Sequence, residues 1–92
     1  MIISIKHKGL KALHEKGETR GVRQDHVERL RELLQRLEEA SQPDDMNLPS
    51  FRLHPLKGAM KGHWSAKVNG NWRITWRFKG RDVELVDYQD YH

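Results

Sequence analysis

The sequence predicts an α+β fold: an N-terminal strand, two helices, then a twisted antiparallel sheet. Three observations carry that prediction. Between residues 27 and 37 apolar residues recur at three- and four-residue steps, the period of a helix. Beyond residue 50 the period changes to two, the period of a half-buried strand. Two Gly-centred turns, Asn69-Gly70-Asn71 and Lys79-Gly80-Arg81-Asp82, divide the alternating part into hairpins. Helices covering one face of an antiparallel sheet are the simplest layers these elements make.

The elements follow in order. Ile2, Ile3 and Ile5 read as a short strand. Residues 8–16 read as a helix, with Leu10, Ala12 and Leu13 inward and Gly17 ending it, as glycine does where the chain turns left-handed after a helix. KGETRG, residues 16–21, is a loop. The second helix is the clearest element. Val27, Leu30, Leu34 and Leu37 form its stripe, with Leu33 beside them. Asp25 and Glu28 are spaced as a capping box, and Pro43 stops the helix after Ala40-Ser41. Glu32 and Arg36 stand one turn apart, where opposite charges pair. Such a leucine stripe is expected to face the core. SQPDDMNLPS, residues 41–50, is a loop long enough to cross back over a sheet. FRLH, residues 51–54, is a short alternating segment. Trp64, Ala66 and Val68 alternate with His63, Ser65 and Lys67; Trp72, Ile74, Trp76 and Phe78 alternate with Arg73, Thr75, Arg77 and Lys79; residues 83–88 form the last strand.

Ninety-two residues with 36% hydrophobic content make one domain, 1–92, with one modest core. Any site is therefore expected to be a shallow groove. There is no cysteine, which excludes disulfides and thiolate chemistry. MIISIKHKG is too short an apolar start for a signal peptide or a membrane span, so a cytoplasmic protein is expected. The histidines, six in number, lack the short fixed spacing of common zinc sites, so no metal or other cofactor is expected. The net charge of +4 is unevenly placed. Residues 1–23 carry six Lys/Arg against two Glu, residues 24–45 three Arg against seven Asp/Glu, and residues 46–92 eight Lys/Arg against four Asp/Glu. The positive field thus belongs to the two ends of the chain, and it suits a polyanionic partner.

If Trp72, Ile74, Trp76 and Phe78 pack on the helices, Arg73, Thr75, Arg77 and Lys79 line the opposite, wet face, joined by Lys67 and His63. Several cations on one face point to phosphate binding. His54 precedes Pro55, so its backbone is held extended, with Lys57 three residues on. The chain ends in Asp90-Tyr91-His92. Chain ends usually fray, so an acid, a phenol and an imidazole together there read as delivered by the last strand to a site facing His54. That grouping suits RNA cleavage. RNA carries its own nucleophile, the 2′-hydroxyl. A base must take its proton, an acid must protonate the leaving 5′-oxygen, and cations must hold the phosphate. An imidazole, with a pKa of about 6.5, can serve either proton role. Asp90 can orient an imidazole or move a proton itself, and Tyr91 can stack on a base.

His54-Pro55-Leu56-Lys57-Gly58, Trp64-Ser65, Asn71-Trp72-Arg73-Ile74 and the terminal Asp90-Tyr91-His92 together resemble HigB-type toxins of the RelE/ParE superfamily of toxin–antitoxin systems, over essentially the whole chain. The resemblance implies a RelE-like microbial RNase fold. It also implies an mRNA interferase that enters the ribosomal A site and cuts mRNA there, leaving a 2′,3′-cyclic phosphate, without a metal. It implies a HigA-type helix-turn-helix antitoxin that represses the shared operon, so that operator DNA is met only through the antitoxin. By matching position, His54, Asp90, Tyr91 and His92 become the catalytic set, and Lys57 and Arg73 the phosphate-binding residues. Two other readings stand beside it. A ParE-like toxin would share the fold and poison DNA gyrase without an acid–base set. A plain nucleic-acid-binding module would leave the terminal triplet as a solvated tail.

Overall fold

A computed structural model of the chain describes residues 1–91. Helix α1 spans Lys8–Lys16 and helix α2 spans Val27–Glu39. The strands are β1 (His54–Pro55), β2 (His63–Asn69), β3 (Trp72–Lys79) and β4 (Asp82–Asp90). They form one antiparallel sheet in the order β1-β2-β3-β4. The α+β prediction therefore holds.

The core lies between the helices and one face of the sheet. Leu10 and Leu13 from α1, and Leu30, Leu33, Leu34 and Leu37 from α2, are buried against Ala66, Val68, Ile74, Trp76, Val83 and Val86. The leucine stripe of α2 packs inward as its period requires. Truncating a fully buried leucine such as Leu33 to alanine is expected to cost about 2–5 kcal/mol. Helix α1 ends as predicted. Gly17 is left-handed (φ 72°), and its N–H and that of Glu18 reach back to the Leu13 and Ala12 carbonyls. At the other end His7 Nδ1 accepts the Leu10 N–H at 3.1 Å. Gly9 of α1 and Gly21 of the following loop lie backbone to backbone: a Cβ on Gly9 would sit 2.1 Å from the Gly21 carbonyl oxygen.

Several local expectations are corrected. Asp25 does not cap α2. It lies in a 3₁₀ turn, Gln24–His26, that precedes the helix, and its carboxylate accepts from the Arg23 guanidinium at 3.2 and 3.3 Å. Glu32 pairs with Arg29 at 2.9 Å, one turn towards the N-terminus, rather than with Arg36. Arg29 is drawn to that side by further contacts. It donates to the Lys67 carbonyl at 3.3 Å and to the Ser50 carbonyl, and lies 4.8 Å above the Phe51 ring. Residues 41–51 are not structureless. Two 3₁₀ turns, Pro43–Met46 and Pro49–Phe51, drive Met46 and Phe51 into the core. The short alternating FRLH segment enters the sheet only at its last residue. Phe51 closes the second turn, Arg52 is left-handed (φ 49°), and pairing begins only at His54. The N-terminal segment pairs as two isolated parallel bridges to β4, at Val83 and Val86, rather than as a continuous strand.

The hairpins turn where expected. Asn69 pairs with Trp72 around Gly70-Asn71, and Lys79 pairs with Asp82 around Gly80-Arg81. Both first turn residues are glycines at positive φ (56° and 62°), which two-residue hairpin loops demand.

Candidate active site

Residues paired directly across a sheet share a face, so the register assigns the outer surface row by row. One row is His54, Ser65, Thr75 and Asp87; the next is Lys67, Arg73 and Gln89; on the other side lies His63, Arg77 and Glu84. The cationic face predicted for β3 and β2 is present, with one correction. Thr75 lies on that face but is fully buried, as is Ser65. Both are short, and longer neighbours close over them: the Gln89 amide reaches the Thr75 hydroxyl at 3.4 Å and the Asp87 carboxylate at 3.0 Å. The two arginines of β3 have different surroundings. Arg77 donates to Glu84 through Nε at 2.8 Å and Nη2 at 2.6 Å. Arg73, four residues away, stands opposite Gln89 and makes no ion pair among the described residues.

A bulge sets which way β4 faces. The register shifts between Thr75 and Arg77, and Leu85 adopts φ 56°. The Leu85 N–H is taken up by Ser4 Oγ at 2.8 Å. An extra residue in one strand reverses the alternation beyond it. Val83, three residues from Val86, is therefore buried on the same side as Val86 and Tyr88. Gln89 turns to the outer face, and Asp90 falls on the helix side, directly opposite Trp72. The Tyr91 N–H donates to the Asn71 carbonyl at 2.8 Å, extending the pairing past the strand.

On the helix side Asp90 shares a cleft of about 290 Å³ with Arg23, Asp25, His26, Asn71 and Trp72. Behind it is a buried polar and aromatic cluster. His26 Nδ1 and the Tyr88 hydroxyl share a hydrogen bond of 2.6 Å. The Trp72 ring lies 4.6 Å from that of Tyr88 and 5.6 Å from that of His26, centre to centre, and the His7 ring meets Tyr88 edge-on at 5.2 Å. His26 is 2% exposed. Burial lowers its pKa from the usual imidazole value, opposed by Asp25 and assisted by Arg23. Burial raises the Tyr88 phenol, against the pull of the Arg23 backbone N–H and charge. At the cleft mouth the Arg23–Asp25 hydrogen bonds raise the arginine and lower the carboxyl.

Residues 3–92 match the family model of the HigB-like toxins, RelE-like toxins of type II toxin–antitoxin systems. The chain belongs to this family. It is also 47% identical to the endoribonuclease HigB of Proteus vulgaris over 92 residues, covering all of both chains. Two crystal structures of YafQ from E. coli share the fold at TM-scores of 0.65 and 0.66, with 18% and 16% identity, covering 98% of this chain and 91% of theirs. The protein is thus a toxin with an antitoxin partner and an RNA substrate.

Among the described residues, the toxin's other five expected site residues, His54, Lys57, Arg73, Asp90 and Tyr91, do not form one tight constellation. Arg73 is half-buried on the outer face near the start of β3, while Lys57 is exposed in the segment between β1 and β2. His54 is exposed on β1, at the edge of the sheet opposite β4. Three strand spacings, about 14 Å, separate their backbones. The expectation that Asp90 faces His54 is therefore corrected: Asp90 lies on the other face, because the Leu85 bulge turned it there. Tyr91, one residue past the end of β4, is half-buried. His92 lies outside the described residues. Sequence reasoning missed His26 and Tyr88. Strict alternation from Val83 would turn Tyr88 outward, and only the bulge at Leu85 brings it inside, where a phenol requires a polar partner. The partner, 62 positions away, had no local mark.

Proposed function

We propose that this toxin is a ribosome-dependent endoribonuclease that cuts mRNA in the A site, with the outer face of the sheet as its RNA-binding surface. The endoribonuclease activity follows the full-length relative of that name in Proteus vulgaris. The observation that carries the assignment to this face is Arg73, a half-buried cation with no carboxylate partner among the described residues, beside Lys67 and Gln89. A cation left uncompensated by its own fold is available to a phosphate.

In this reading Arg73 and Lys57 hold the scissile phosphate. His54 reaches in from the β1 edge, and Tyr91 comes from the end of β4. The 2′-oxygen attacks phosphorus as a base takes its proton. The 5′-oxygen leaves with a proton from an acid, and the ends are a 2′,3′-cyclic phosphate and a 5′-hydroxyl. His54 and His92 are the imidazoles available for these transfers, Tyr91 stacks on or orients the neighbouring base, and Asp90 acts from the rim of its cleft. No step needs a metal, since the nucleophile belongs to the RNA. An open face binds a flexible strand weakly and does not by itself hold the 2′-oxygen in line. The ribosome supplies that order, an effect of proximity and orientation. A HigA-type antitoxin neutralises the toxin in the cytoplasm, and operator DNA is met through it.

The test compares purified toxin on free RNA and on ribosome-bound mRNA, with ends mapped. Rapid cleavage within codons of the bound message and slow cleavage of free RNA support the reading. Equal rates on both, or double-strand breaks in DNA instead, overturn it. Removing His92 alone is expected to lower the rate by about 10²–10⁴, and a variant lacking it that cuts at the full rate removes the triplet from the chemistry.

A further inference from the structure

We propose that the buried hydrogen bond between His26 and Tyr88 is a positioning pair, which fixes the direction in which β4 delivers Asp90 and Tyr91. The inference rests on the reading that those two residues act on RNA. It assigns no proton transfer to His26 or Tyr88.

The need for such a pair comes from the topology. The N-terminal segment bonds to β4 only at residues 83–86, ending with the Lys6 N–H to the Val86 carbonyl at 2.7 Å. From residue 87 onward β4 has β3 as its strand neighbour on one side only. A strand end held along one edge frays and twists. Residues 90 and 91 stand at that end, where a small rotation of the backbone moves both side chains.

Tyr88 is the last buried residue before them. Its ring packs on Trp72, which pairs directly with Asp90, and its hydroxyl reaches His26 at 2.6 Å. His26 immediately precedes the first residue of α2, so the bond ties the one-sided end of β4 to the start of the longer helix. His7 closes the other side of the Tyr88 ring while its Nδ1 caps α1. Both helix N-termini thus converge on one side chain two residues from Asp90. A phenylalanine–leucine contact would fill the same volume but let the ring slide. A hydrogen bond fixes distance and angle, and a buried one cannot be exchanged for water without loss.

Tyr88→Phe removes only the hydroxyl. His26→Asn keeps a group that can bond the phenol, and His26→Leu does not. For each full-length variant the measurements are turnover and half-saturating ribosome concentration in mRNA cleavage, melting temperature, and amide exchange at Tyr91 and Val83. Asp90→Ala and Tyr91→Ala are run beside them. Tyr88→Phe is expected to lower turnover about tenfold or more with half-saturation unchanged. It should speed exchange of the Tyr91 N–H, held by Asn71, relative to the Val83 N–H, held by Met1. His26→Asn should retain more turnover than His26→Leu. Wild-type turnover in Tyr88→Phe, with Asp90→Ala inactive, overturns the pair and leaves the site reading intact. Equal acceleration of exchange at both amides, with activity falling only in step with melting temperature, also overturns it, because the bond would then be plain packing. Wild-type turnover in both Asp90→Ala and Tyr91→Ala overturns the site reading, and the positioning role with it. If Tyr88→Phe does not fold, the two His26 variants decide, and equal turnover in them contradicts the proposal.

Discussion

The two ends of the β3 outer face carry the same side chain in different company. At one end Arg77 is bound to Glu84 by two hydrogen bonds, with His63 across from it. At the other, Arg73 lies between Lys67 and Gln89 with no ion pair among the described residues. At the first end the Arg77 charge is neutralised by the protein itself and belongs to the fold. The second is left positive, and it is also the end where β4 stops and the His26–Tyr88 cluster sits behind the sheet. Counting cations on a face therefore says less than asking which of them the fold has already paired.

The largest expected effect breaks this comparison directly. Arg73→Ala should lower mRNA cleavage by about 10²–10³ with little change in melting temperature, whereas Arg77→Ala should leave cleavage within a few-fold of wild type. Rates measured on ribosome-bound message check both. Equal losses in the two variants would mean that the whole face binds RNA without distinction.

A second prediction concerns the buried side of that end. The folded state holds His26 below the usual imidazole pKa, so the unfolded chain takes up the proton first. Stability is then full above the unfolded value of about 6.5. It falls as pH drops through that value, at most about 1.4 kcal/mol per pH unit from this group, until the native imidazole is protonated as well. Melting temperatures between pH 7.5 and pH 5 should show the decline, and His26→Asn should flatten it. A decline of the same size in the variant would place its source elsewhere, among the carboxylates.

Two smaller effects sharpen the account. Replacing Leu85 by glycine removes the left-handed strain of a side chain, roughly 1–2 kcal/mol, against a glycine entropy cost of about 0.5–1 kcal/mol and the loss of a half-buried side chain. The net change in stability should be small and cleavage unchanged, because the bulge rather than the leucine sets the phase of β4. Lost activity in a stable Leu85→Gly protein would show otherwise. Arg77→Ala should cost stability by about 0.2–1 kcal/mol, the range of an exposed ion pair, measurable by denaturant unfolding.

Much of the fold was legible because it rests on local periodicity. Val27, Leu30, Leu34 and Leu37 are buried as their spacing demands, and Gly17, Gly70 and Gly80 turn the chain where a positive φ is needed. What failed to show locally depended on partners distant in sequence or on choices between near-equal partners. Asp25 had a cap position open to it, but the Arg23 guanidinium lay two residues away and took the carboxylate. Leu85 is left-handed without the Gly or Asn that usually marks such a site, so the reversal of β4 was invisible. The expected meeting of Asp90 with His54 failed for that reason and because β1 and β4 are the opposite edges of the sheet. Arg73 could be named as a phosphate-handling candidate from the family resemblance. Its distinction from Arg77 needed the register that puts Glu84 opposite one and Gln89 opposite the other.

The most direct test of the central claim is the chemistry of the RNA ends made in a translating extract by the wild-type toxin, Arg73→Ala and Arg77→Ala. The account predicts cuts inside codons that leave a 2′,3′-cyclic phosphate and a 5′-hydroxyl, at similar rates for wild type and Arg77→Ala and at a rate lower by two orders of magnitude or more for Arg73→Ala. Full-rate cleavage by Arg73→Ala, or ends bearing a 5′-phosphate, would contradict it.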